Sequence, residues 1–242
     1  MIRNIIFDFG AVLVDWNPEY LYGPYFKDND RMKHFLTEIC PHSWNAQADA
    51  GRSTAEITEE RVAMYPEWEK EIRMYFSHWV DMMGGEIPGM EETVAALKQR
   101  GYKLYGLTNW SAETFPLVRS RYPVFELLDG IVVSGEEKIA KPDHEIYRIL
   151  LRRYELKAEE CIFIDDNPAN VKSAEDLGIH GFCRGAEAEA GGSSARIVSH
   201  ARTSSPGATS SFESRGRKTS MREPNLMMPH CSPAFACFTL SA

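Results

Sequence analysis

At 242 residues, 43% of them hydrophobic and 26% charged, the chain is long enough for one domain, or for one domain carrying an insertion. No apolar run approaches the roughly 20 residues that a membrane helix needs, and no basic-then-apolar leader is read at the N-terminus, so a soluble, cytoplasmic protein is expected. The net charge of −8 speaks against a nucleic-acid partner, and it means that an anionic substrate needs a local cation or metal to approach.

Residues 3–14, RNIIFDFGAVLV, organise the chain. Ile5, Ile6 and Phe7 form a short apolar run of the kind that a buried parallel strand shows. Asp8 then stands where the strand should end, at the sheet edge where open α/β proteins bind ligands. Asn17 suits an N-cap and Pro18 the first helical position, after an exit loop through Asp15 and Trp16. From there to Met83 the signals are helical and no strand is expected. Met32, Phe35, Leu36 and Ile39 recur at helical spacing within 31–40, and Ser53 with Glu56 matches a capping box. Residues 67–83 read as one long amphipathic helix. Gly84, Gly85, Pro88 and Gly89 read as the return linker of an inserted module.

The pattern then alternates. Helices are expected over 90–100, 111–120, 143–156 and 170–177. Strands are expected over 103–107, Gly130–Val133, 161–164 and His180–Cys183. Such alternation implies an α/β fold: a Rossmann-like parallel sheet with helices on both faces and right-handed crossovers. The expected division is a core of residues 1–15 and 85–183, a helical insertion of 16–84, and a tail of 184–242. In the tail seven basic residues face four acidic ones, and no apolar periodicity survives. Disorder, a frameshifted end or a nucleic-acid-binding tail are the alternatives. The five cysteines are scattered, with no C-x-x-C pair, so neither a zinc site nor a disulfide framework is expected.

Four strand ends present polar groups along one sheet edge: Asp8; Thr108 and Asn109; Lys141, just beyond the third strand; and Asp165 and Asp166. Taken singly each admits a plain role as a cap, a turn or a surface charge. As an ordered set over residues 1–183, they resemble the motifs of the haloacid dehalogenase superfamily, in its helical-cap subfamily IA. The string Phe7-Asp8-Phe9-Gly10 is also similar to the metal-binding triplet of protein kinases, but no large lobe and no HRD-like loop precede it here.

The resemblance implies a magnesium-dependent phosphatase acting on small phosphorylated metabolites. Asp8 would be the nucleophile that forms an aspartyl phosphate, and Lys141 would supply a point charge to it and to the phosphoryl group. Thr108 and Asn109 would donate to phosphate oxygens. Magnesium would be held by Asp8, the Gly10 carbonyl and Asp166, with Asp165 as a further or water-mediated ligand. The helical cap would close over the substrate with hinges near residues 15–17 and 84–89.

One departure stands out. Gly10 occupies the position, two after the nucleophile, where the family's phosphatases usually carry a general acid, and losing such a group costs about 10²–10⁴ in rate. The chain resembles the D-x-G branch of the superfamily, with its sugar-phosphate activity. Asp15 or His42 could supply the missing acid. Two other readings compete. A 2-haloacid dehalogenase uses the same aspartate without metal, but resembles D-x-Y-G-T at the first motif and lacks the paired acid kept here at Asp165 and Asp166. A catalytically weak binding or regulatory protein is the other, with no reason to hold so costly a like-charge cluster. Neither nucleic acid nor membrane is expected as a partner.

Overall fold

The structure, a computed structural model, describes residues 1–184, so that beyond Arg184 the tail lies outside the described residues. The chain runs β1 (Asn4–Phe7), β2 (Val14–Trp16), α1 (Glu19–Phe26), α2 (Asn29–His34), α3 (His42–Asp49), α4 (Thr54–Met64), α5 (Glu69–Ser77), β3 (Met83–Glu86), α6 (Met90–Gln99), β4 (Lys103–Thr108), α7 (Phe115–Arg119), β5 (Gly130–Val133), α8 (Ser134–Glu137), α9 (His144–Arg153), β6 (Cys161–Asp165), α10 (Pro168–Glu175) and β7 (His180–Cys183). Five of these strands form one parallel sheet in the order β5-β4-β1-β6-β7. The first strand is therefore the central one, and all four of its residues are buried.

Alternation along β1 explains why the run is apolar throughout. Ile5 and Phe7 face one core with Val94 and Leu97 of α6, while Ile6 faces the other with Ile146, Tyr147 and Leu150 of α9. Helices thus cover both faces, and parallel strands bring their C-terminal ends to one edge. Phe9, fully buried just past that edge, packs on Phe125 with ring centroids 4.6 Å apart. Gly106 in β4 makes the room: a Cβ there would lie 2.4 Å from the Phe9 ring.

The span from α1 to α5 is helical, as its periodicity predicts. Its aromatic core is continuous with one face of the sheet, through Tyr22, Phe35, Trp44, Tyr75 and Trp79. Four details differ from the sequence expectations. First, β2 and β3 pair antiparallel, so both connections to the helical span are strands rather than loop and linker. Gly84 is there for space: a Cβ would lie 2.5 Å from Asp15 Oδ2 and 2.7 Å from the Tyr20 ring. Second, the helix expected over 67–83 ends at Ser77, and a 3₁₀ turn over Trp79–Met82 follows, burying Trp79 and Met82. Third, Ser53 makes no capping hydrogen bond; Glu113, from the loop after β4, accepts from the Thr54 N–H (3.2 Å) and hydroxyl instead. Fourth, Arg184, placed in the tail from its sequence, belongs to the core. Its N–H donates to the Asp165 carbonyl at 2.8 Å and its guanidinium to the carbonyls of Ala11 and Val12. At the start of α1 Pro18 holds the N-cap position, one residue later than expected, and Asn17 Oδ1 before it accepts from the Glu19 N–H at 2.9 Å.

A methyl group at Gly106 must displace the Phe9 ring from a filled core. Gly106→Ala is expected to cost about 1–3 kcal/mol in denaturant unfolding, the usual cost of overpacking. Unchanged stability would show that the Phe9 pocket yields.

Candidate active site

Asp8 follows the last residue of β1, and its N–H still donates to the Ile164 carbonyl at 2.8 Å, so its position is fixed by the sheet. Lys141, from the segment between α8 and α9, crosses to it. The ammonium nitrogen lies 2.8 Å from Asp8 Oδ1 and 2.7 Å from Asp165 Oδ2, and its side chain is 1% exposed. The backbone that delivers Lys141 is held at two points by one side chain. Asn109 Nδ2 donates to the Lys141 carbonyl at 2.9 Å, and Asn109 Oδ1 accepts from the Lys141 N–H at 2.8 Å. Asp165 is fixed equally firmly. Its oxygens accept from the Asn167 N–H (2.8 Å), from Asn170 Nδ2 (3.1 Å to each oxygen) and from Lys141. Beyond Asp8, Ala11 adopts the left-handed conformation (φ 55°), which turns the chain off the sheet.

Burial raises the Asp8 carboxyl above its ordinary range, against the attraction of Lys141 and with help from the Asp165 charge. Burial also works against the Lys141 ammonium, but the two carboxylates prevail and hold its proton more tightly than usual. Asp166, exposed beside them, is raised by partial burial and by Asp165. Ligand atoms of Asp8, Asp165 and Asp166 all lie within 4.8 Å of one another. Three carboxylates against one ammonium leave two negative charges uncompensated. Hard oxygen donors with that excess charge suit a divalent cation of the magnesium type. Asp165, whose oxygens are already engaged, suits the role of clamp on Lys141; Asp8 and Asp166 are the carboxylates left to bind.

These groups open into a cavity of about 400 Å³. Asp8, Gly10, Asn109, Lys141 and Asp166 line it. Thr108 does not: it is buried at the end of β4. Of the two acids considered as substitutes at Gly10, His42 lines the cavity, while Asp15 lies outside it, hydrogen-bonded to the Tyr20 hydroxyl. The helical span adds a residue that the motifs do not mark. Asp49, the last residue of α3, lines the cavity and is 6% exposed. Its carboxyl accepts from Asn45 Nδ2 at 3.2 Å and from the backbone N–H of Ser111. Burial, countered by the Ser111 N–H and reinforced by the Asp8 charge, pushes it up to about 7. The sequence signal that could have found it is the Asn45–Asp49 pair, one turn apart on the helix face that packs inward.

Two outcomes follow from these charges. Lys141→Met leaves two buried carboxylates without their cation, and is expected to cost about 3–5 kcal/mol near neutral pH. The loss should shrink as pH falls and those carboxyls protonate; a pH-independent loss in denaturant unfolding would contradict the charge argument. At Asp49 the folded state keeps a proton that the unfolded chain releases between pH ~4 and ~7. Its contribution therefore falls as pH rises through that window and is flat above it, by at most roughly 4 kcal/mol. Asp49→Asn lacks this dependence, so in chelator its stability relative to wild type should improve from pH 4 to pH 7.

Comparison with known proteins agrees with this geometry. Residues 2–178 match the family model of haloacid dehalogenase-like hydrolases. The sesquiterpene phosphatase astK of Aspergillus oryzae is 29% identical over 181 residues, covering 74% of this chain and 88% of that protein. The phosphorylated carbohydrates phosphatase of Thermotoga maritima is 27% identical over 189 residues, covering 74% and 82%. Among solved structures, a haloacid dehalogenase family enzyme of Bacteroides thetaiotaomicron, in complex with magnesium and inorganic phosphate, shares the fold. Its TM-score is 0.59 at 20% identity, over 76% of this chain and 94% of that one. A central strand ending at Asp8, a buried lysine between two aspartates and a match over most of the described chain leave one assignment: the chain belongs to the haloacid dehalogenase-like hydrolases.

Proposed function

We propose that the protein is a magnesium-dependent phosphatase of small phosphorylated metabolites, working through an aspartyl phosphate on Asp8. The observation that carries this is the fixed approach of Lys141 to Asp8, 2.8 Å, beside the carboxylate cluster that opens into the cavity. Asp8, the Gly10 carbonyl and Asp166 would hold the ion, which when bound offsets the repulsion between a carboxylate nucleophile and an anionic ester. Asp8 attacks phosphorus. Lys141 keeps Asp8 oriented and stabilises charge on the phosphoryl oxygens. Asn109 supports the phosphoryl group through its hold on Lys141, and Thr108, buried at the end of β4, packs behind the site. The helical span 16–84 acts as the cap that excludes water. Its movement hinges at residues 15–17 and 84–89, where the β2–β3 ribbon keeps the two connections in step.

Sugar phosphates are the favoured substrate class, which the carbohydrate phosphatase relative supports. Trp16, Trp79 and Trp110 line the cavity. The three indole faces favour a second reading, a terpenoid phosphate, which the Aspergillus relative also supports. The dehalogenase alternative uses no metal and leaves the excess charge of the carboxylate cluster without a purpose.

The test is phosphate release from sugar, terpenyl and simple alkyl phosphates, each with magnesium and with chelator. Turnover should require the metal, and Asp8→Asn should lower it by on the order of 10³-fold or more. Metal-independent turnover of a 2-haloacid, with no ester hydrolysed, would replace this reading.

A further inference from the structure

We propose that Asp49, carried by the helical insertion, is the general acid–base of this enzyme and fills the role left vacant at Gly10. The inference rests on the phosphatase reading and adds the residue that handles the proton.

The vacancy at Gly10 is a real space. A Cβ built there meets nothing within 4 Å, so no neighbouring side chain has moved in to take over from the first loop. Asp8, Gly10 and Asp49 line one cavity, with Asp49 approaching from α3. Asp49 is docked at both ends of the residue. Its carboxyl accepts from the Ser111 N–H in the loop after β4, and its carbonyl accepts from the Ser134 hydroxyl at the end of β5, at 2.5 Å. Both partners belong to the carboxyl edge of the sheet that holds Asp8. Position is therefore set by the sheet, although the residue comes from the insertion.

The chemistry of the surroundings fits a proton donor. Asp49 has no ion-pair partner among the described residues, unlike Asp8 and Asp165. A buried carboxyl without a cation favours its neutral form, and its titration near neutrality suits a group that must give and regain a proton in each cycle. The titratable and charged groups around it are Asp8 from β1, Tyr75 from α5, His42 at the start of α3, and Lys141 and Asp166 across the cavity. None is a competing donor of the same kind. Lys141 is held between two carboxylates, Tyr75 is pushed far above its ordinary range by burial, Asp166 belongs to the metal-binding set, and His42 is exposed.

An Asp8 oxygen forms a bond to phosphorus while the bond from phosphorus to the ester oxygen breaks. The leaving oxygen keeps the bonding pair and takes the proton of the Asp49 carboxyl, so the alcohol departs neutral and Asp49 becomes a carboxylate. A water oxygen then attacks phosphorus and Asp49 accepts one of its protons. The bond from phosphorus to Asp8 breaks, Asp8 regains its electron pair, and inorganic phosphate leaves with Asp49 protonated again.

The experiment uses the full chain with magnesium and a series of aryl phosphates of graded leaving-group acidity, together with one alkyl phosphate. In the wild type a shallow dependence of kcat/KM on leaving-group pKa is expected. Asp49→Asn should steepen it, with a loss of about 10²–10⁴ on the alkyl ester. On 4-nitrophenyl phosphate the first step should survive, giving a burst of about one nitrophenol per enzyme and then slow turnover. Acid quenching should then trap phosphorylated protein. A uniform slowing across the series without a burst, or no slowing, would overturn the assignment. If the variant fails to fold, the wild-type series decides alone, since a steep dependence there means that no acid acts. Absence of turnover by the wild type on every ester is a separate result, which removes the phosphatase reading and the inference with it.

Discussion

The constraint on which the rest depends is a buried ammonium. Bringing Lys141 out of water costs several kcal/mol, and so does each carboxylate brought in to meet it. The structure offsets this only by spending nearly every hydrogen-bonding capacity nearby. Lys141 meets Asp8 and Asp165, Asp165 is closed off by Asn167 and Asn170, and Asn109 clamps the backbone that carries the lysine. Such a cluster can form only where several strand ends are brought into register. A parallel sheet with β1 at its centre does that, because its neighbours β4 and β6 end beside Asp8. The sheet order and the chemistry are thus one requirement. Charge laid out before a substrate arrives need not reorganise when the reaction begins.

The same economy shapes the loop between nucleophile and insertion. Phe9 turns into the core against Phe115 and Phe125, Gly106 gives it room, and Ala11 takes the left-handed turn. Asp8 is therefore flanked by a side chain that cannot move without opening the core. Gly10, which has no side chain, faces the cavity. The guanidinium of Arg184 then holds the carbonyls of Ala11 and Val12, so a residue just past β7 secures the loop that follows the first strand.

Much of this is legible in the sequence because it rests on local patterns. Two-sided burial makes residues 5–7 of β1 apolar, amphipathic spacing marks α9, and the motif residues other than Lys141 fall at strand ends. The misplaced features depend on partners far along the chain. Val14–Trp16 and Met83–Glu86 become strands only by pairing with each other, and a glycine pair there looks like a break until Asp15 and Tyr20 are seen to need the space. Ser53 has the right neighbour for a capping box but loses the role to Glu113, some sixty positions away. Asn109 reads as a phosphate donor, yet its amide is engaged with Lys141. Thr108 reads as a second phosphate donor and lies buried at the end of β4. Asp49 has no motif at all. Its environment is assembled from α3, the loop after β4 and the end of β5, and no single stretch of sequence carries that information.

The proposed move of the acid from the first loop to the insertion has a physical consequence. A carboxyl two residues after the nucleophile is present whenever the strand is folded. A carboxyl on α3 is present only while the insertion is docked on Ser111 and Ser134, because those contacts fix both ends of Asp49. Docking also closes the indole wall of Trp16, Trp79 and Trp110, whose rings pack in sequence at 5.4 and 6.3 Å. Water exclusion and proton delivery then depend on one docked arrangement. On the proposed mechanism an undocked insertion would leave the aspartyl phosphate without its base, so hydrolysis would wait until the cavity is built. The empty position at Gly10 is on this account the sequence mark of an enzyme that acts only when closed.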